Sequence, residues 1–281
     1  MKSLFISLFA LLSVTAFSQQ KFQGKAVYKS KTTMEMNFGG RQMSEDQKKR
    51  IAERMKGMLE KTYTLNFNQV ESTYKEEERL SAPGQGGGRF GGMMSSFTGG
   101  LKYKNTKEAI VLEETEFFGK KFLISENGKK PDWKLGSETK KIGNYICYKA
   151  TYEKEDNAFS FSSFGRRGRG NNPENKDPKE KEEEKPTMII VTAWYTPQVP
   201  VSQGPGEFWG LPGLILEVNS GRTTVLCTEI TMNPKEKVVL KMPKKGKKVT
   251  REEYTKIVTK KMEEMREQFR GRGGRGGGRR G

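Results

Sequence analysis

Histidine is absent from this 281-residue chain. That one absence excludes Ser-His-Asp and Cys-His nucleophilic machinery and any zinc site built on imidazole. Cysteine is almost absent, with only Cys147 and Cys227, so at most one internal disulfide can form. Apolar residues make up only 33% of the chain, so the core has to come from part of it, with sizeable segments left solvated. Long hydrophobic runs are missing as well. The longest, Leu4 to Val14, is about half of the ~20 residues a membrane-crossing helix needs. What is present in excess is positive charge and glycine: 52 Lys and Arg against 34 Asp and Glu, a net charge of +18, and 32 Gly.

The N-terminus has the three-part pattern of a secretory signal peptide. Lys2 supplies the positive charge, Leu4 to Val14 the apolar stretch, and Ala16 and Ser18 the small residues before a cut at Gln19. Residues 1–18 are therefore expected to be removed, placing the mature chain in the periplasm or outside the cell. No Cys follows the small-residue box, so a lipoprotein anchor is not expected. Export gives the two cysteines two readings. Both lie in strand-like, β-branched and aromatic surroundings, and an oxidising compartment permits a Cys147–Cys227 disulfide. Closing that loop would stabilise by roughly 4–5 kcal/mol. The other reading is a pair of buried free thiols, and spacing does not choose between them.

Along the mature chain the dominant signal is period two. Lys25 to Met36, Tyr63 to Phe67, Val70 to Tyr74, Ala109 to Leu112, Glu116 to Phe118 and Lys121 to Ser125 read as strands, with a hairpin at Asn68-Gln69. Glu126-Asn127-Gly128-Lys129 is a turn signal. Lys140 to Ala150 reads as one strand, with Gly143 marking a bulge. Thr187 to Tyr195 is the most apolar strand, and another hairpin follows at Asn219-Ser220-Gly221. Two helices open on capping boxes: Ser44 with Gln47, and Thr250 with Glu253. The second has an apolar stripe of Tyr254, Ile257, Val258, Met262, Met265 and Phe269 that also takes in Lys261. Two low-complexity inserts, 83–100 and 155–186, and an Arg/Gly tail, 270–281, are expected to be disordered. One domain, 19–269, remains.

Several matches to chemical motifs fail on context. Gly86-x-Gly88-x-x-Gly91 has the spacing of a dinucleotide fingerprint, but glycine and serine flank it where a strand and a helix are required. Ser137-x-x-Lys140 has a Ser-Lys nucleophile spacing, yet it precedes a strand rather than opening a helix. The Glu180 to Glu184 run lacks the fixed geometry of a cation site. Neither a cofactor nor a metal site is expected.

One segment stands apart. Pro197 to Val218 holds Gly210-Leu211-Pro212-Gly213-Leu214-Ile215, preceded by Ala193-Trp194-Tyr195-Thr196-Pro197 and Gly204-Pro205, and followed by Leu216-Glu217-Val218. With Lys141-Ile142-Gly143-x-Tyr145-x-Cys147-x-Lys149-Ala150 upstream, it resembles the GLPGLI family (Porph_ging) of exported Bacteroidetes proteins. The family has no established activity, so the resemblance implies compartment and fold rather than chemistry. The two inserts and the Arg/Gly tail depart from it. Physically, Pro200, Pro205 and Pro212 make this segment an irregular connection between strands. Its apolar side chains allow two roles. The segment is a rigid plug closing one end of a curved sheet, or Trp194, Pro197, Phe208, Trp209, Leu211, Pro212 and Leu214 line the mouth of a ligand pocket.

These signals predict a mainly β (α+β) fold: one curved antiparallel sheet or half-barrel with two covering helices, resembling periplasmic lipoprotein carriers. The expected function is that of an exported, non-catalytic envelope protein binding a lipid-like ligand or an outer-membrane partner. The alternative is a structural or assembly factor whose basic tail engages anionic envelope polymers, and a hydrolase ranks third. The charge favours a polyanion contact, because residues 235–281 carry 17 basic and 6 acidic side chains. Export makes nucleic acid an unexpected partner.

Overall fold

The computed structural model describes residues 22–33, 44–47, 49, 59–77, 100–155, 188–236 and 238–273. Residues 1–21, most of 83–100 and of 155–186, and 274–281 lie outside them. Twelve strands form one sheet. They are β1 (Gln23–Thr32), β2 (Glu60–Asn68), β3 (Glu71–Glu76), β4 (Leu101–Asn105), β5 (Ile110–Phe117), β6 (Lys120–Asn127), β7 (Lys134–Ile142), β8 (Tyr145–Glu155), β9 (Met188–Thr196), β10 (Leu214–Ser220), β11 (Thr223–Met232) and β12 (Lys247–Val249). Their spatial order is β12-β6-β5-β4-β3-β2-β1-β11-β10-β9-β8-β7. Two meanders are thus zipped together by β1 and β11, neighbours in the sheet and about 200 residues apart in sequence.

The mainly β expectation holds, with local corrections. The pairing of β12 with β6 is parallel, in an otherwise antiparallel sheet. The long irregular approach before β12 is what makes that direction possible. Lys140 to Ala150 is two strands and not one: the chain reverses at Gly143-Asn144, with Gly143 at φ +57°. A positive φ at the first central residue is what a tight hairpin turn requires, and glycine supplies it without a side-chain clash. The two short strands read at Ala109 to Leu112 and Glu116 to Phe118 are one strand, Ile110–Phe117, and its hairpin turns at Phe118-Gly119. Asn127-Gly128 ends β6 instead and releases the chain towards β7 at the far edge of the sheet. The Asn68 hairpin is as expected, with the Asn68 Oδ1 accepting from the Val70 and Glu71 amides at 2.7 and 2.6 Å.

Both capping boxes are formed. Ser44 and Gln47 bond reciprocally at 3.2 and 3.3 Å over a helical turn at 45–47. Thr250 and Glu253 do the same at 2.9 and 3.1 Å at the start of α1 (Arg251–Gly273). That helix extends through residues 270–273 of the segment read as tail. Its Val258 and Met262, with Tyr254, Ile257 and Met265, pack on Phe117, Phe122, Ile124 and Val249, so it covers the β12-β6-β5 end of the sheet. Lys261 points out and pairs with Glu264. No helix among the described residues is long and apolar enough to cross a membrane. The main core lies elsewhere: Ala26, Tyr28, Leu65, Phe67, Val191, Ala193, Ile215 and Val218 join β1, β2, β9 and β10.

Candidate functional site

Between β9 and β10, adjacent antiparallel strands, the chain makes an excursion over residues 197–213. A tight hairpin would have needed two residues, but the prolines here lack amide donors and set their own φ. The loop folds inward. Val199, Val201, Phe208, Leu211 and Leu214 are members of the main core. Its backbone is fixed by Leu214 N to Val199 O at 3.0 Å, Ile215 N to Gln203 O at 3.1 Å and Gly210 N to Ser202 O at 3.1 Å. Gly213 is obligatory for proximity: a Cβ there would lie 2.2 Å from the Thr196 carbonyl oxygen.

Beneath the loop is a polar anchorage. Gln203, fully buried, accepts from the Ser72 hydroxyl at 2.7 Å and donates to the Val70 carbonyl at 3.1 Å. Directly across from Ser72 in the β3–β4 register is Lys104. Lys104 is only 2% exposed, and its Nζ donates to the carbonyls of Gly204 at 2.7 Å and Phe208 at 3.5 Å. Burial pulls this amine down from its ordinary value to about 7, with repulsion from Lys102 adding to the effect and Glu207 opposing it. On the outer side of the loop Lys154 pairs with Glu207 and lies 5.3 Å from the Phe208 ring centroid. Trp133 donates its indole N–H to the Trp209 carbonyl at 2.8 Å and packs edge-on against Tyr152.

A set of ion pairs ties the start of α1 to β4, β5 and β6. Arg251 donates to Glu113 and to Glu126, both at 2.5 Å, and Lys102 pairs with Glu113 at 3.3 Å. Burial pushes the Glu113 carboxyl up, but Lys102 and Arg251 outweigh it and hold the group below the ordinary range.

The seven residues predicted for a pocket mouth are not gathered on one open surface. Phe208, Leu211 and Leu214 are buried in the core, and Trp209 is buried nearby. Pro197 and Pro212 are exposed. Trp194 is half-buried, with the Lys140 Nζ 4.5 Å from its ring centroid, and Lys140 in turn pairs with Glu217 at 2.7 Å. That ion pair engages the lysine of the Ser137-x-x-Lys140 spacing. The other two failed motifs lie outside the described residues. Cys147 and Cys227 are both free and buried, and the structure holds them unbridged. Burial raises Cys147 to about 11 and Cys227 to about 12. Among the described residues no group of Cys, Asp and Glu gathers as a metal cluster.

Lys104 escaped sequence reasoning. In Leu101-Lys102-Tyr103-Lys104-Asn105 the lysines alternate with Tyr103 and read as the solvent face of a strand. Both faces are in fact covered, Tyr103 packing with Leu112 and Leu123 while Lys104 points under the loop. A second feature came only partly into view: Lys241, Lys244 and Lys245 on the approach to β12 and Lys247 and Lys248 on it are all exposed, with Val239 and Met242 exposed on the same segment at 61% and 40%.

No curated protein matches the chain. Among solved structures, those titled PNGF-II in C2 and in P21 space groups are similar to 85% of this chain at 15% identity and a TM-score of 0.47. The chain spans only about a third of their length, 33% and 34% respectively. Residues 133–217, from Trp133 through β7, β8, β9 and the inward-folded loop into β10, match the family described as a protein of unknown function (Porph_ging).

Proposed function

We propose that this is an exported, non-catalytic envelope protein of structural or assembly type. It docks on anionic envelope polymers through the β12 edge and the basic tail. Five exposed lysines between 241 and 248 carry this reading: among the described residues no ion pair engages them, and no acidic residue interrupts them. A polyanion laid along this edge releases its condensed counterions, which supplies affinity without base- or sugar-specific contacts. Export rests on the Met1 to Ser18 leader. The lipid-pocket reading has less support, because Phe208, Leu211 and Leu214 already pack against protein.

Binding of the mature chain, 19–281, to lipopolysaccharide-coated beads and to neutral dextran beads at 50–300 mM NaCl tests this. The expected result is retention on the anionic beads alone, with affinity falling linearly in log–log form as salt rises. Lys244→Glu/Lys245→Glu/Lys247→Glu/Lys248→Glu should weaken retention tenfold or more at an unchanged melting temperature. Retention of both that variant and a 270–281 deletion at the level of the unaltered chain would overturn the reading.

A further inference from the structure

Lys104 is the most enclosed charged side chain among the described residues and has no role in the docking surface. Several elements are packed around it. Its own strand contributes Lys102, which faces it with like charge and is held by Glu113 of β5, itself paired with Arg251 of α1. From the loop comes Glu207, already paired with Lys154 of β8. Its neighbour on β3, Ser72, is not titratable and gives its hydroxyl hydrogen to Gln203. Among the described residues no carboxylate pairs with Lys104. What the amine finds is two carbonyl oxygens, those of Gly204 and Phe208. A neutral amine has two hydrogens and matches them; an ammonium has three, and one is left over in a site without water-like dielectric.

We propose that Lys104 is a proton-operated latch on the 197–213 loop: as the neutral amine it closes on the Gly204 and Phe208 carbonyls, and protonation loosens that closure. The sign follows from linkage. Closed, the amine titrates near 7; opening the loop returns it towards its solvated value of 10.5. The open state therefore binds more protons between those values, and opening grows as pH falls from 10.5 to 7. Below 7 both states are charged and the effect levels off. Between pH 9 and pH 6 a fully solvated open state raises the opening constant by roughly a hundredfold.

Amide hydrogen exchange of the mature chain at pH 6, 7.5 and 9, expressed as protection factors, reads this directly. The reporters are the Gly210, Leu214 and Ile215 amides, whose hydrogen bonds fix the loop, with β1 amides as the internal control. The expected result is ten- to a hundredfold lower protection at pH 6 than at pH 9 for the loop, no such change for β1, and no pH trend for the loop in Lys104→Met. Equal loop protection at pH 6 and 9, or a trend that survives in Lys104→Met, would overturn the latch. Because that variant strips two buried carbonyls of their donor and can fail to fold, the wild-type amine is also measured by carbon-13 NMR of labelled lysines. One lysine should titrate near 7. A full set titrating near 10 refutes the proposal.

Discussion

Burial acts with opposite outcomes on Lys104 and Glu113, and the difference lies in their partners. Lys104 has only carbonyls, so desolvation prevails and its charge is disfavoured. Glu113 has two cations, so its charge is favoured despite being enclosed. A carboxyl held below its ordinary value of 4.5 contributes stability that is present above that pH and is lost as pH falls through the folded value. Glu113→Gln should cost about 1–3 kcal/mol at pH 7 and much less at pH 3, read as the shift in urea midpoint at each pH. The thiols give a second residue-scale test. With both buried and their ionisation pushed to about 11 and 12, native protein at pH 8 should leave a thiol-reactive chromophore unreacted. After unfolding without reductant it should show two thiols; none would mean a bridge.

The inward-folded loop and α1 both pack onto the sheet, one into the main core and the other over the β12-β6-β5 end. For the loop, Gly213→Ala drives a methyl into the Thr196 carbonyl, backbone against backbone, with no flexible side chain to yield. A loss of about 1–3 kcal/mol is expected from such overpacking, measured by urea unfolding. For α1, Thr250→Ala removes half of a formed capping box and should cost about 1 kcal/mol. Arg251→Ala breaks the tie to Glu113 and Glu126, but the guanidinium is partly exposed, so solvent screening holds its share to about 1 kcal/mol. Helix starts were legible because a capping box is complete within four residues. The reversal at Gly143 was not, because a glycine between two strand-like runs reads equally as a bulge or a turn until the partner strand is known.

At the scale of the whole molecule, the net charge of +18 is unevenly placed, and the fold sharpens that asymmetry. Lys247 and Lys248 lie on β12, an outer strand of the sheet, where charge also discourages edge-to-edge aggregation, and Lys241, Lys244 and Lys245 lie on the segment that leads into it. At the opposite edge, β7 is protected by the same device and by a register break between Leu135 and Thr139. The salt dependence predicted for polymer binding belongs to this scale, because it depends on how many lysines reach one surface and not on any single contact.

What the amino-acid sequence determined by itself is local: period-two strands, capped helix starts, the Asn68 turn, the basic C-terminal segment and the irregularity of a proline-broken connection. Each follows from forces acting over a few residues, so each is readable without a partner. The tertiary structure alone decided where those pieces meet. Tyr28 lies beside Cys227 in the sheet, and Lys104 lies under Gly204, across separations of about 200 and 100 residues. Only when the sheet curls and the loop folds into it does a lysine that looks solvated lose its water. That loss makes Lys104 the feature most worth testing in this protein.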